Sequence, residues 1–394
     1  MSKKRNDKVR QLVKYLSLIQ LSTLGMVSSD IYLSLLPAMA HDLGSNINAM
    51  QFSISIYILI IGISQFFVGY GLDRYGIKRI LILSAPLYVL GCVICYLSES
   101  SQSFYWGRSL QALGAAAPLV AWQPLTIELF GEKQGRSVGT YLFIIMFLSL
   151  GVAPFFGAIV AQHYGWRLNF IIIAVNAVIC IVSLIFSLPS VTLKNTGIPQ
   201  QILFKDMFLL FGNSRFLLHL IIISINYSCY ISFIIIYPTI TVPEFGSIHA
   251  SMGFLPIAVS FLFGALLSKN LMSRLMNRSA VKVGVFFFAL SALFLIADLL
   301  YENNNAMLTI LLPFCVFLFG SGVFLPAATY EAINAGGVMQ NSAAALIVGA
   351  RMCIAFLISG LLTFIPSSNQ TVALVAIVCI ASVISISLLW RACD

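Results

Sequence analysis

Gly69-Tyr70-Gly71-Leu72-Asp73-Arg74-Tyr75-Gly76-Ile77-Lys78-Arg79 is a short, charged, glycine-rich stretch between two long apolar runs, Gln51 to Val68 and Ile80 to Leu97. Each run is long enough to cross a bilayer. About a dozen residues connect them, so the two helices are expected to be antiparallel neighbours. Gly69, Gly71 and Gly76 suit close helix approach and a tight turn with positive φ. Asp73 can accept hydrogen bonds from free N–H groups at a helix start, and Lys78 and Arg79 hold the turn at an anionic surface.

The composition extends this pattern to the whole chain. Of the 394 residues, 60% are hydrophobic and only 9% charged, with a mean hydropathy of +0.97. A soluble domain carries about 25% charge, so the chain is an all-α polytopic membrane protein. Twelve spans are predicted, at about 13–39, 50–70, 80–98, 104–129, 138–162, 168–189, 216–240, 250–270, 281–301, 306–332, 340–365 and 370–391. A net charge of +9 invites a nucleic-acid reading, but 19 of the 22 Lys and Arg residues lie in the tails or in alternate connections. There they orient helices and place both termini in the cytoplasm. Of the opposite set of loops, only that holding Arg167 is basic. The N-terminal Lys3-Lys4-Arg5 cluster precedes an apolar run too long for a cleavable signal. Seven of the eight cysteines sit inside apolar runs, and Cys92-Val93-Ile94-Cys95, despite its redox-like spacing, is read as packing within one helix.

The long polar middle divides the chain into two six-helix bundles, residues 1–189 and 216–394, joined by a cytoplasmic linker at 190–215. Within it, Ile202 to Leu210 suits a short interfacial helix. The order G-x-x-x-D-R-x-G-x-K/R-K/R at 69–79 resembles the loop between the second and third helices of major facilitator superfamily transporters. Ile77 stands where that family usually has Arg. The loop at Lys269-Asn270-Leu271-Met272-Ser273-Arg274 is its counterpart in the second half, keeping basic charge without the Asp and glycines. The resemblance implies the major facilitator fold, with a substrate site between the halves near the midplane.

Asp30 lies about 16 residues, roughly 24 Å, beyond Lys14 along the first helix. A carboxylate at membrane depth costs roughly 2.5–3.5 kcal/mol on insertion scales and normally faces the interior or water. Burial with few counter-ions favours the protonated form, which suits a group that must take up and release a proton; a fixed structural ion pair is the alternative. Asp30-Ile31-Tyr32-Leu33-Ser34-Leu35-Leu36-Pro37 resembles the D-x-Y-L-P-x-L-P pattern of the Bcr/CflA drug-efflux group, with Ser34 in place of the first Pro. Arg108-Ser109-Leu110-Gln111 resembles the superfamily's R-x-x-Q stretch in the fourth helix. Arg108, Gln111, Ala115 and Trp122 share one face at helical spacing. Arg108 cannot deprotonate; it is expected to be the fixed charge that pairs with Asp30 or with an anionic substrate group.

Leu150-Gly151-Val152-Ala153-Pro154-Phe155-Phe156-Gly157-Ala158 is similar to the antiporter signature of the fifth helix, incomplete in its first and last glycines, and Gly165-Trp166-Arg167-Leu168-Asn169-Phe170 repeats the group's G-W-R-x-x-F. Trp166 is expected to anchor at the membrane interface. Pro154 and Gly157, with Gly69, Asp73, Arg74 and Gly76 of the 69–79 loop, are the candidates for conformational gating. In the second half, Asn226, Tyr230 and Tyr237 share a face of the seventh helix, which suits either a cavity wall or packing. Arg351, in the eleventh helix, is the second costly intramembrane charge; it is expected to face the cavity and favour anionic or zwitterionic substrates, with snorkelling or backbone bonding as the alternative.

The substrate-binding candidates are therefore Tyr32, Gln111, Trp122, Asn226, Tyr230 and Arg351, with Asp30 and Arg108 coupling protons. The four His residues have no Cys or carboxylate partners at ligand spacing, so no metal site and no cofactor is expected. No G-x-x-x-x-G-K-S/T phosphate loop and no catalytic constellation argues for an ATPase or enzyme. The resemblance implies a monomeric transporter of the bacterial inner membrane that exports small molecules in exchange for protons by alternating access. In that scheme Asp30 loads a proton from outside, weakening its tie to Arg108 and releasing substrate. A dedicated siderophore or metabolite exporter, or a proton-coupled importer, is the alternative.

Overall fold

The computed structural model describes residues 2–187, 209–274, 277–301, 306–337 and 340–391. Twelve long helices account for most of them: α1 Ser2–Asp30, α2 Ile47–Tyr75, α3 Ile77–Leu97, α4 and α5 as the two arms of Ser101–Tyr164 before and after a kink at Gly131 (φ 75°), α6 Leu168–Ser187, α7 Ser214–Met252, α8 Phe254–Arg274, α9 Asn277–Tyr301, α10 Ala306–Ala335, α11 Gln340–Leu362 and α12 Gln370–Arg391. Ten are long and apolar enough to cross a membrane, and α8 carries a shorter apolar segment, Phe254–Lys269. Most of the linker assigned to 190–215, including the short helix expected over Ile202 to Leu210, lies outside the described residues.

The first helix ends earlier than the sequence reading placed it. Asp30 is the last residue of α1, followed by a 3-10 turn at Leu33–Leu35 and a short helix at Leu36–Asp42. Pro37 sits in the first turn of that short helix. It has no N–H to offer the Leu33 carbonyl, so α1 cannot run through and the chain restarts with Pro where a missing donor is harmless.

The connection at 69–79 is also tighter than expected. Both helices run into it, and Gly76 alone separates α2 from α3. It takes φ 83°, and its N–H closes α2 on the Leu72 carbonyl at 3.0 Å. With ψ at 152° this is a region essentially reserved for glycine, where a side chain costs about 1–3 kcal/mol, so Gly76→Ala should lower the thermal unfolding midpoint in detergent by a few degrees. Gly69 does not permit a close approach: a Cβ there would meet nothing within 4 Å. Arg74 is exposed, donates to the Tyr70 hydroxyl and lies over the Tyr70 and Tyr75 rings. The side chain of Asp73 lies outside the described residues.

The two six-helix bundles repeat one packing plan. In the first, α3 and α4 touch backbone to backbone at Gly91 and Gly107; in the second, α9 and α10 do so at Gly284 and Gly320. Across the bundles α2 packs on α11, and α5 on α8. Exchanging the halves interconverts these two contacts, as expected of a six-helix repeat. The loss of glycines from the second-half loop hides this repeat in the sequence, because the repeat is kept at helix crossings.

Candidate functional site

A cavity lies between the bundles. Its wall is drawn from α1, α2, α4 and α5 on one side and α7, α8, α10 and α11 on the other. The wall is mostly apolar and aromatic; Phe147 of α5 stacks on Phe261 of α8 with ring centroids 4.2 Å apart and planes 6° from parallel. Into this lining project one carboxylate, Asp30, and one guanidinium, Arg351, with the amide of Asn226 and the hydroxyls of Tyr57, Tyr227 and Tyr230.

Asp30 is 2% exposed. Ser29 Oγ donates to its Oδ1 at 2.6 Å, and its Oδ2 is buried without a partner. A buried carboxylate oxygen with no donor is costly when charged and is the atom free to take a proton. The ion pair expected between Asp30 and Arg108 is not formed; the ion pairs among the described residues are His41–Asp42 and Arg167–Asp42. Arg108 is fully buried behind the cavity wall. Its guanidinium lies 3.9 Å from the Tyr57 ring centroid and 4.7 Å from that of Tyr32. It donates to the Ser28 carbonyl at 2.9 Å and to the Gln111 side chain, leaving Nε and Nη2 unpartnered. Two rings, the Ser28 carbonyl and the Gln111 side chain thus solvate this cation in place of a carboxylate. Tyr57 bridges the two environments, lining the cavity and donating to the Gly25 carbonyl at 3.0 Å.

The model of the Major Facilitator Superfamily matches residues 19–360. The chain belongs to this superfamily. Its members are transporters, not enzymes, and the chain is a multi-pass membrane protein. It is 24% identical to multidrug resistance protein D of Escherichia coli K12, over 90% of this chain and 89% of that one. It is 22% identical to the chloramphenicol resistance protein CraA of Acinetobacter baumannii, over 82% and 78%. Among solved structures, a peptide transporter POT in complex with sulfate superposes with a TM-score of 0.76 at 14% identity, covering 97% and 93% of the two chains. The nucleoside transporter NupG gives 0.71 at 14% identity, covering 97% and 98%. Both share the fold. The resemblance to the Bcr/CflA-like efflux group agrees with these relatives.

In this major facilitator chain the sequence-predicted binding residues divide between wall and scaffold. Asn226, Tyr230 and Arg351 line the cavity. Asn226 Nδ2 donates to Ser321 Oγ of α10 at 2.9 Å. Tyr32, Gln111 and Trp122 do not. Tyr32 packs edge-on against Phe104 and shares a contact with Ser53 Oγ at 3.2 Å, Gln111 is bonded to Arg108 and to Cys92 Sγ, and Trp122 is buried in the core between α4 and its neighbours in the first bundle. Tyr237, on the same helix as Asn226, is buried against Phe233 and Phe254 rather than in the cavity. Trp166 is buried: its Nε1 donates to Asp42 at 2.9 Å while Arg167 lies over its ring. Tyr57 and Tyr227, absent from the sequence prediction, are the rings against Arg108 and Arg351. The available signal was a tyrosine within an otherwise apolar run, which alone does not say which face it takes.

The gating candidates of α5 sit against the chain at the end of α1, within the first bundle. Pro154 removes the N–H that would bond Leu150, a cavity residue, and Gly157 lies directly against the Ile31 carbonyl. The halves are tied by hydrogen bonds at the face opposite the termini. Gln51 and Gln370 exchange amide bonds at 2.9 and 3.0 Å, Asn48 donates to the Thr363 and Ile365 carbonyls, and Ser55 meets Ser359 at 2.8 Å. Gln51→Leu strands the buried Gln370 amide, a loss of about 1–3 kcal/mol from the closed contact. A cysteine at the cavity residue Ile58, in a background with the native cysteines replaced, should then react at least about fivefold faster with an impermeant maleimide from that face. An unchanged rate would show that the pair is no latch.

Proposed function

We propose that this protein exports drug-like small molecules across a bacterial inner membrane in exchange for protons, as a monomer with both termini in the cytoplasm. The observation that carries the reading is Asp30 Oδ2: a buried carboxylate oxygen without a donor, on the wall of the cavity between the bundles. The resistance names of the relatives support export, and the cationic bias of the loops on the side of the termini supports their cytoplasmic placement. They give no comparable support to siderophore export.

The interbundle bonds around Gln51 hold the face opposite the termini shut. Substrate therefore enters the cavity from the cytoplasm while Asp30 is charged. When the bundles rock and the outer face opens, a proton reaches Oδ2, the carboxylate becomes neutral and substrate leaves. Arg108 does not let go of Asp30 in this scheme. It stays in its cage of Tyr32, Tyr57 and the Ser28 carbonyl.

Everted vesicles energised acid-inside test the reading with cationic, neutral and anionic drug-like compounds. Accumulation that collapses when the gradient is dissipated, with proton release on adding substrate to weakly buffered purified protein, is the expected result. Transport with no proton movement would overturn it.

A further inference from the structure

The two bundles present opposite, unpaired charges to one cavity. Asp30 comes from α1 and Arg351 from α11, and neither takes part in the ion pairs among the described residues. Arg351 Nε is buried without an acceptor, and no described residue accepts a hydrogen bond from the guanidinium; its neighbour is the Tyr227 ring, 4.9 Å from the guanidinium carbon. It therefore neither snorkels away from the cavity nor leans on a backbone carbonyl. A guanidinium carries five donors in a planar fork matched to an oxyanion, and in this cavity that fork has no hydrogen-bond acceptor among the described residues. The lining around the two charges is aromatic and apolar, with Tyr57, Tyr230 and the Phe147–Phe261 stack in it.

We infer that the transported compound is an amphipathic zwitterion, with an oxyanion seated on Arg351, an aromatic body in the belt, and an ammonium end toward Asp30. This rests on the reading of the cavity as the proton-coupled transport site, and that coupling fixes the sign. An anion alone on Arg351 would draw a proton onto Asp30 and favour carrying both together. An ammonium beside Asp30 instead competes with the proton, as exchange requires. The oxyanion adds affinity from the opposite bundle, so a bound zwitterion ties α1 to α11 in the loaded state.

Ciprofloxacin is a suitable probe, because its amine and carboxylate stand at opposite ends of an aromatic body. Its ethyl ester lacks the anion, and its N-acetyl derivative lacks the cation. Equilibrium binding to the purified full chain in nanodiscs, without a gradient, should favour the parent over both derivatives by about tenfold or more, the worth of one charge-assisted contact. Arg351→Gln should erase the preference over the ester while leaving ester binding within about twofold, and Arg351→Lys should keep part of it. Asp30→Asn should erase the preference over the N-acetyl compound. The inference is overturned if the parent binds no better than its capped forms, or if Arg351→Gln weakens all three alike, as a purely structural arginine would. Selectivity without proton release on binding would sink the antiport reading and leave this one standing. Proton release without selectivity would do the reverse.

Discussion

Asp30→Asn is expected to keep only weakened substrate binding and to lose gradient-driven transport, with accumulation in acid-inside everted vesicles falling at least about a hundredfold, to the level of empty vesicles. Asparagine keeps the shape of the side chain and can still accept from Ser29 Oγ, so the end of α1 has no reason to move. It cannot carry the proton. Substrate-induced proton release should therefore vanish, while exchange of labelled for unlabelled substrate at equal pH and saturating concentration should persist, because exchange requires no net proton transfer. Glutamate at the same position keeps the chemistry but pushes one methylene into a buried wall, so partial transport with an altered pH profile is expected. Equal gradient-driven transport by wild type and Asp30→Asn would make Asp30 structural and remove the main support for proton exchange.

The second large effect falls on Gly157. A Cβ there would run into the carbonyl oxygen of Ile31, the residue after Asp30, and the backbone cannot retreat freely because the Gly157 carbonyl accepts from Asn169 Nδ2 at 3.1 Å. Gly157→Ala should cost about 1–3 kcal/mol, as overpacking of a close contact does, and lower the unfolding midpoint in detergent accordingly; Gly157→Val should abolish folded protein. Transport by the alanine variant should fall further than its stability, since the displaced carbonyl adjoins the proton site. Gly69→Ala is the matched control. It adds a methyl into open space in a helix, where alanine is favoured over glycine by about 0.5–1 kcal/mol, and so should leave stability unchanged or slightly raised. If the two alanine variants behave alike, close packing of α5 on α1 is not what Gly157 supplies.

Asp30 and Arg351 were legible as site residues because a charge at bilayer depth is expensive wherever its helix points, and both do line the cavity. Arg108 was legible for the same reason, yet its partner was not. The sequence suggested Asp30 or an anionic substrate group, and the packing supplied Tyr32, Tyr57 and the Ser28 carbonyl instead. Trp122 and Gln111 share a helical face with Arg108, and that face turns toward the interior of the first bundle rather than the cavity. Tyr57 and Tyr227 went unnoticed because a tyrosine adds little to the hydropathy of an apolar run, and its importance comes only from the cation it meets.

Sequence by itself determined the solvent of this protein, its helices and its expensive charges. Those are local properties: a run of about 20 apolar residues must be a helix in lipid, where no water serves its backbone. Tertiary structure alone decided how far each helix is rotated about its axis, and with it which side chains share the cavity. That rotation is set by contacts between distant segments, such as Gly157 on Ile31 or Gln51 on Gln370. No window of sequence contains both partners.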